Sequence, residues 1–195
     1  MVRVLTVNNY PSRERAATLE KCLEGNGAEV VPVGLEGVST ARFDSCDGVV
    51  LSGSPAMMTE AGTISKYQPE VDAVLRSETP VLGICFGHQL LAHAFGAEVV
   101  RDTRHVQEMV RTTVLREDPL FDELPRSLLL MESRYEVVKS VPDGFALLAS
   151  STTSRIATMK HPTRLLYGVQ FHPERFTEEH PEGDRVVGNF IRMLR

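Results

Sequence analysis

Cys85 sits between two glycines in Gly83-Ile84-Cys85-Phe86-Gly87, where a short apolar run, 80–84, gives way to an amphipathic one, 86–95. This is a thiol version of the Gly-x-Ser-x-Gly elbow, whose strand–turn–helix context holds a nucleophile in a strained conformation. Glycines two residues to either side remove side chains that would clash in so tight a turn. The helix that begins after Cys85 directs its positive end at the sulfur, which favours thiolate. A lone cysteine at a strand end reads first as a small core residue. The flanking glycines and the element order turn that reading toward a nucleophile.

A thiolate needs a base, and Gln170-Phe171-His172-Pro173-Glu174 offers one just past the apolar run 165–170. Pro173 stiffens the segment, so Glu174 can turn back to the imidazole Nδ1–H and fix its tautomer. A third turn, Leu51-Ser52-Gly53-Ser54-Pro55, follows another apolar run. Backbone N–H groups of Gly53 or Ser54, together with that of Phe86, form a candidate oxyanion hole, worth on the order of 3 kcal/mol per donor. The expected chemistry is acyl transfer through a Cys85–His172–Glu174 triad.

Three sites distant in sequence must meet, and the surrounding pattern shows how. Short β-branched runs alternate with amphipathic stretches: strands over 2–7, 29–33, 47–51 and 80–84, and helices over 12–24, 67–77 and 86–95. Near-continuous apolar strands between helices predict an α/β fold, a mostly parallel sheet with helices on both faces. After Gly96 the runs 109–115, 146–149, 156–160 and 165–170 read as a smaller antiparallel or mixed sheet. A last helix over 184–194 carries Val186, Val187, Phe190, Ile191 and Leu194 on one stripe. Reactive sites in such sheets lie beyond the carboxyl ends of the strands, here at Leu51, Ile84 and Gln170.

At 195 residues, 42% of them apolar, the chain suits one core, read as a single domain over 1–195. A net charge of −5 with scattered basic residues gives no footprint for nucleic acid. No apolar run approaches 18 residues, so no membrane partner is expected and the cytoplasm is the expected location. The three cysteines are irregularly spaced, giving neither a disulfide framework nor a zinc pattern. Cys22 belongs on the inner face of its helix, beside Leu19 and Leu23. The histidines His88, His93, His105, His161 and His180 show no ligand spacing, so no metal and no cofactor is expected.

Gly83-Ile84-Cys85-Phe86-Gly87-His88-Gln89 and Tyr167-Gly168-Val169-Gln170-Phe171-His172-Pro173-Glu174 resemble the two signatures of the class I, or triad, glutamine amidotransferases. Leu51-Ser52-Gly53-Ser54-Pro55 is similar to the oxyanion turn of that family, and the likeness extends over most of the chain. The resemblance implies the flavodoxin-like glutaminase fold and L-glutamine as substrate. It implies attack by Cys85 on the side-chain amide, a glutamyl thioester, and proton donation by His172 to departing ammonia. It further implies that Gln89 contacts glutamine and that Ser133 helps to hold it; without the resemblance, Gln89 reads as a helix residue facing solvent.

Ammonia in this family passes to a synthase, for which a chain of this length has little room. Ser133-Arg134-Tyr135-Glu136-Val137-Val138, then Val141-Pro142-Asp143-Gly144-Phe145, resembles the free-standing glutaminase subunit of GMP synthetase, which implies that the partner is a separate ATP pyrophosphatase subunit. Arg134 and Glu136 depart from the usual histidine and aspartate. Asn8-Asn9-Tyr10-Pro11-Ser12 is somewhat closer to the glutaminase subunits of anthranilate and aminodeoxychorismate synthases. Ser133-Arg134-Tyr135 also resembles homoserine acyltransferases, which keep open a solitary hydrolase or acyltransferase on the same fold. The two departures also admit a non-catalytic binding module.

Overall fold

A computed structural model of the chain describes residues 1–38 and 42–195. Its centre is one nine-stranded sheet in the order β2-β1-β3-β4-β9-β8-β7-β5-β6. Five strands run parallel: β1 (Val2–Asn8), β2 (Ala28–Gly34), β3 (Gly48–Leu51), β4 (Val81–Ile84) and β9 (Leu166–Val169). Every residue of β3, β4 and β9 is buried, as strands covered on both faces require. Helices α1 (Arg13–Gly25) and α4 (Glu182–Met193) cover one face, packing Leu19, Leu23, Val186, Val187, Phe190 and Ile191 against Val2, Val4, Leu82 and Ile84. Helices α2 (Thr63–Arg76) and α3 (Phe86–Ala94) cover the other, with Val74, Leu91 and Ala92 against Leu5, Val49, Leu51 and Val81. Each large apolar side chain buried this way contributes roughly 1.5–3 kcal/mol, an upper figure because the unfolded chain is itself partly collapsed.

The antiparallel strands extend the same sheet instead of forming a second one. They are β5 (Val99–Val114), β6 (Ser127–Val138), β7 (Ala146–Ser151) and β8 (Thr158–Lys160), joined to the parallel half where β8 pairs with β9. Two differences from the sequence-based expectation stand out. β5 begins ten residues before the expected 109, because a register shift between Arg101 and Val106 hides its alternation. β6 was not expected as a strand: Glu132, Arg134 and Glu136 occupy its inward positions and break the apolar pattern. These charged groups satisfy one another or nearby backbone, which offsets part of the cost of burying them.

Parallel pairing in register aligns the carboxyl ends: Val7 with Leu51, Leu51 with Gly83, and Ile84 with Val169. Asn8, Ser52, Cys85 and Gln170 therefore emerge along one rim. The order of strands reverses direction between β1 and β3, the place in an open α/β sheet where a crevice opens.

Candidate active site

Cys85 follows β4 directly and caps the amino terminus of α3 with φ 50° and ψ −97°, one of two non-glycine residues with positive φ among those described. The strain is held from both sides. Its N–H donates to Val169 O at 2.8 Å, and its carbonyl accepts from Gln89 N at 3.1 Å. The glycines permit the approach of α3 to the sheet: a Cβ on Gly83 would lie 2.5 Å from Gly87 O, and one on Gly87 2.5 Å from Leu51 O. Both obstacles are backbone, so neither yields easily.

The sulfur is buried but lines a cleft of about 410 Å³ together with Tyr10, Ser54, Gln89, Ser133 and His172. His172 emerges two residues beyond Gln170, its N–H held by Met131 O of β6 at 2.7 Å. Its Nδ1 lies 2.8 Å from Glu174 Oε1, and its ring lines the same cleft as the Cys85 sulfur, close enough for the sulfur to act on its charge. Burial opposes charge on the imidazole, but the Glu174 carboxylate and the Cys85 sulfur outweigh it and raise the His172 pKa well above the ordinary histidine value. Burial likewise works against the charge on Glu174, and the facing imidazole overcomes it, holding that carboxyl below its usual range. The Glu174 oxygen that faces the imidazole, Oε1, is also approached by Arg175 Nε at 3.6 Å.

Gly53 stands beside the imidazole: a Cβ there would come within 2.8 Å of His172 Cε1 and 2.6 Å of the Tyr10 hydroxyl. Ser54 lines the cleft and donates its hydroxyl to Asn9 O at 2.8 Å. The Phe86 ring points away, tilted against Tyr67 at 4.6 Å, while its N–H belongs to the first turn of α3. Gln89 does not face solvent. It is buried, lines the cleft, and donates Nε2 to Glu136 O at 2.9 Å. Ser133 sits on β6 across the cleft, with its carbonyl 3.6 Å from the Cys85 sulfur.

The two departures noted in the sequence have local explanations. Arg134 turns to the inner side of β6, donating to Glu132 at 2.9 Å and Asp102 at 2.6 Å. Glu136 accepts from the N–H groups of Met58 and Thr59 at 2.7 and 2.9 Å, clamping the loop that follows Ser54. Tyr10 and Arg175 were assigned no role from the sequence, yet both line the cleft, with Arg175 donating to the Tyr10 hydroxyl at 3.1 Å. Burial is the main influence raising the Tyr10 pKa, so the phenol stays neutral. The position of Arg175 directly after Glu174 was the available signal; that of Tyr10 at the end of β1 carried less.

Among the described residues no group of three His, Cys, Asp or Glu side chains is arranged to hold a metal. No helix among them is long and apolar enough to cross a membrane.

The profile of the glutamine amidotransferase class-I family matches residues 7–193, nearly the whole chain. The chain belongs to that family. Among relatives of this glutamine amidotransferase is the glutamine-hydrolyzing GMP synthase subunit of Methanocaldococcus jannaschii, 38% identical over 146 residues, covering 75% of this chain and 73% of the relative. The protein of the same name from Methanococcus maripaludis is 36% identical over 165 residues, covering 85% and 82%. A crystal structure of a protein from Thermoplasma acidophilum, provisionally named as the same GMP synthase subunit, superposes with a TM-score of 0.87 at 29% identity, covering 100% of this chain and 94% of that one. The fold described above is therefore shared by a solved structure.

Proposed function

We propose that this chain is the glutaminase subunit of a two-subunit GMP synthase, converting L-glutamine and water to glutamate and ammonia with Cys85, His172 and Glu174. The observation that carries the reading is the meeting, in one open cleft, of the Cys85 sulfur and a His172 imidazole bound to the Glu174 carboxylate at 2.8 Å. In this reading the Cys85 thiolate adds to the side-chain amide carbon of glutamine. Backbone N–H groups at Gly53, Ser54 and Phe86 receive the oxyanion. The imidazolium of His172 gives its proton to the amide nitrogen, the C–N bond breaks, and ammonia leaves a γ-glutamyl thioester on Cys85. Water then adds to the thioester with His172 as general base, and glutamate departs with the thiolate restored. Glu174 keeps the imidazole oriented and stabilises its charged form.

Gln89 and Ser133 hold the substrate in this scheme, Gln89 through the cleft wall it shares with Glu136. The partner is a separate synthase subunit of the ATP pyrophosphatase type, which activates XMP and uses the ammonia to make GMP. Relatives named as glutamine-hydrolyzing GMP synthase subunits support this acceptor over a chorismate-derived one.

The test is ammonia release from glutamine by the chain alone and with the ATP pyrophosphatase subunit from the same source, followed by XMP amination. Glutamine-dependent GMP formation that requires both chains is the expected result. Folded protein that releases no ammonia in either setting sinks the reading; ammonia release without transfer to XMP sinks only the acceptor.

A further inference from the structure

Glu70 is fully buried on α2, and the mechanism above makes no use of it. Its Oε1 accepts from Asn9 Nδ2 at 3.1 Å, and its Oε2 is buried with no hydrogen-bond partner. Asn9, the first residue after β1, is in turn bound to both neighbours of Gly53. Its N–H donates to Ser52 Oγ at 2.8 Å, its Nδ2 reaches Ser52 O at 3.4 Å, and its carbonyl accepts from Ser54 Oγ at 2.8 Å. Ser52 Oγ closes the set by donating to Gly53 O at 2.9 Å. One turn before Glu70 on the same helix, the Tyr67 hydroxyl lies 3.3 Å from Ser54 Oγ. Helix α2 therefore grips the turn twice, once directly through Tyr67 and once from Glu70 through Asn9.

We infer that Glu70 is a positioning residue for the Gly53 turn, acting through Asn9 to fix the backbone whose N–H groups receive the oxyanion. The inference rests on the proposed glutaminase reading for its catalytic consequence, not for the linkage itself. A small error in a donor's placement is enough to lose much of an oxyanion hole, so the groups that hold such a turn matter as much as the donors.

The acid form is the one this site accommodates. The end of β1 presents the neutral Asn9 to Glu70, Asn9 in turn binds the neutral Ser52 at the end of β3, and Val71, next to Glu70 on α2, packs with Phe86 and Leu90 of α3 in an apolar cluster. Tyr67 turns its hydroxyl to Ser54, Lys66 is exposed, and Asp72 is bound to Gln68 on the outer side of α2. Burial is the dominant influence and raises the Glu70 pKa to about 8, with the Asn9 amide opposing it only in part. Below that pH, Glu70 is a neutral acid that accepts from Asn9. Above it, a carboxylate must draw in water or displace its neighbours, and the turn loosens.

The experiment combines glutamine hydrolysis between pH 6.5 and 9.5 with hydrogen exchange of the 50–56 segment, in wild type, Glu70→Leu and Glu70→Gln. Glu70→Leu should lower kcat about tenfold or more with KM within about twofold, because the loss falls on the transition state. Its 53–54 amides should exchange about tenfold faster, since local opening is easier. Glu70→Gln keeps the acceptor without the titration: it should recover most of kcat at pH 7 and lack the decline through pH 8 that wild type shows. Wild-type kcat and exchange in Glu70→Leu overturn the proposal, as does a decline through pH 8 that survives in Glu70→Gln. If Glu70→Leu does not fold, the wild-type and Glu70→Gln profiles decide alone. If wild type hydrolyses no glutamine, the proposed function fails, and the exchange rates still decide whether Glu70 holds the turn.

Discussion

His172 Nδ1 lies 2.8 Å from Glu174 Oε1, and both side chains are buried. The two residues are separated only by Pro173, so this half of the triad is set by a local turn, the short 3-10 segment Pro173–Arg175. The sulfur arrives separately, delivered by the register of β4 against β9. A change to the carboxylate therefore disturbs the electronics of the site and leaves its geometry largely in place.

Glu174→Gln is expected to lower glutamine hydrolysis on the order of 10²-fold or more, because the imidazole loses the charge that orients it and stabilises its protonated form. Unfolding in urea should show a cooperative transition with a midpoint below wild type at neutral pH, because the variant also loses the charge that stabilises the imidazolium. A variant within a few-fold of wild-type turnover would remove Glu174 from the mechanism.

Two histidines make stability depend on pH in opposite directions. The pKa of His172 is raised in the folded state from 6.5 to about 10, Glu174 and Cys85 outweighing burial. Its stabilising contribution is complete below pH 6.5 and is lost as pH rises toward 10. His88 is the reverse: burial lowers its pKa from 6.5 to about 3, with the Gly168 backbone opposing. The unfolded chain binds that proton first, so stability is full above pH 6.5 and falls as pH drops toward 3. Urea midpoints measured across this range should fall on both sides, with Glu174→Gln flattening the alkaline side.

Glycine substitutions should separate stability from activity. At Gly87 a Cβ meets the backbone at Leu51 O, so Gly87→Ala should cost about 1–3 kcal/mol in stability and lower soluble yield. At Gly53 it meets the Tyr10 hydroxyl and the His172 ring, which are side chains that can shift. Gly53→Ala should fold with a urea midpoint near wild type and lose most of its turnover.

Arg134→Met tests the buried network beneath the cleft. Arg134 is the partner of Glu132, whose carboxylate also accepts from Ser151 and Thr153, and no solvent reaches it. Removing the guanidinium strands that charge, and a loss of about 3–5 kcal/mol is expected in chemical denaturation. Replacing Glu132 by Gln in the same chain should recover part of the loss.

The residues proposed to carry the chemistry stood out because their signals are local. The elbow around Cys85 needs glycine at two fixed offsets, whereas His172, which alone reads as a loop histidine, gains weight only from the strand end before it and the carboxylate of Glu174 beside it. The parallel half of the sheet was legible because β3, β4 and β9 are uninterrupted apolar runs. β6 was not, since its inward positions hold Glu132, Arg134 and Glu136, and only the folded chain shows Asp102, Thr153 and the Met58–Thr59 backbone that satisfy them. Glu70, Asn9, Tyr10 and Arg175 escaped for the same reason: their partners lie far away in sequence. Gln89, by contrast, was marked by the family resemblance, although its periodicity on α3 gave no hint that it would be buried.

The central claim is that Cys85 carries the acyl group. Rapid acid quenching of the enzyme during turnover of labelled glutamine, followed by peptide mass spectrometry, tests it directly. The account predicts a γ-glutamyl thioester on the peptide that contains Cys85, formed no more slowly than ammonia is released and absent in Cys85→Ala. Ammonia release that persists in Cys85→Ala at the wild-type rate, or label on a different residue, would contradict it.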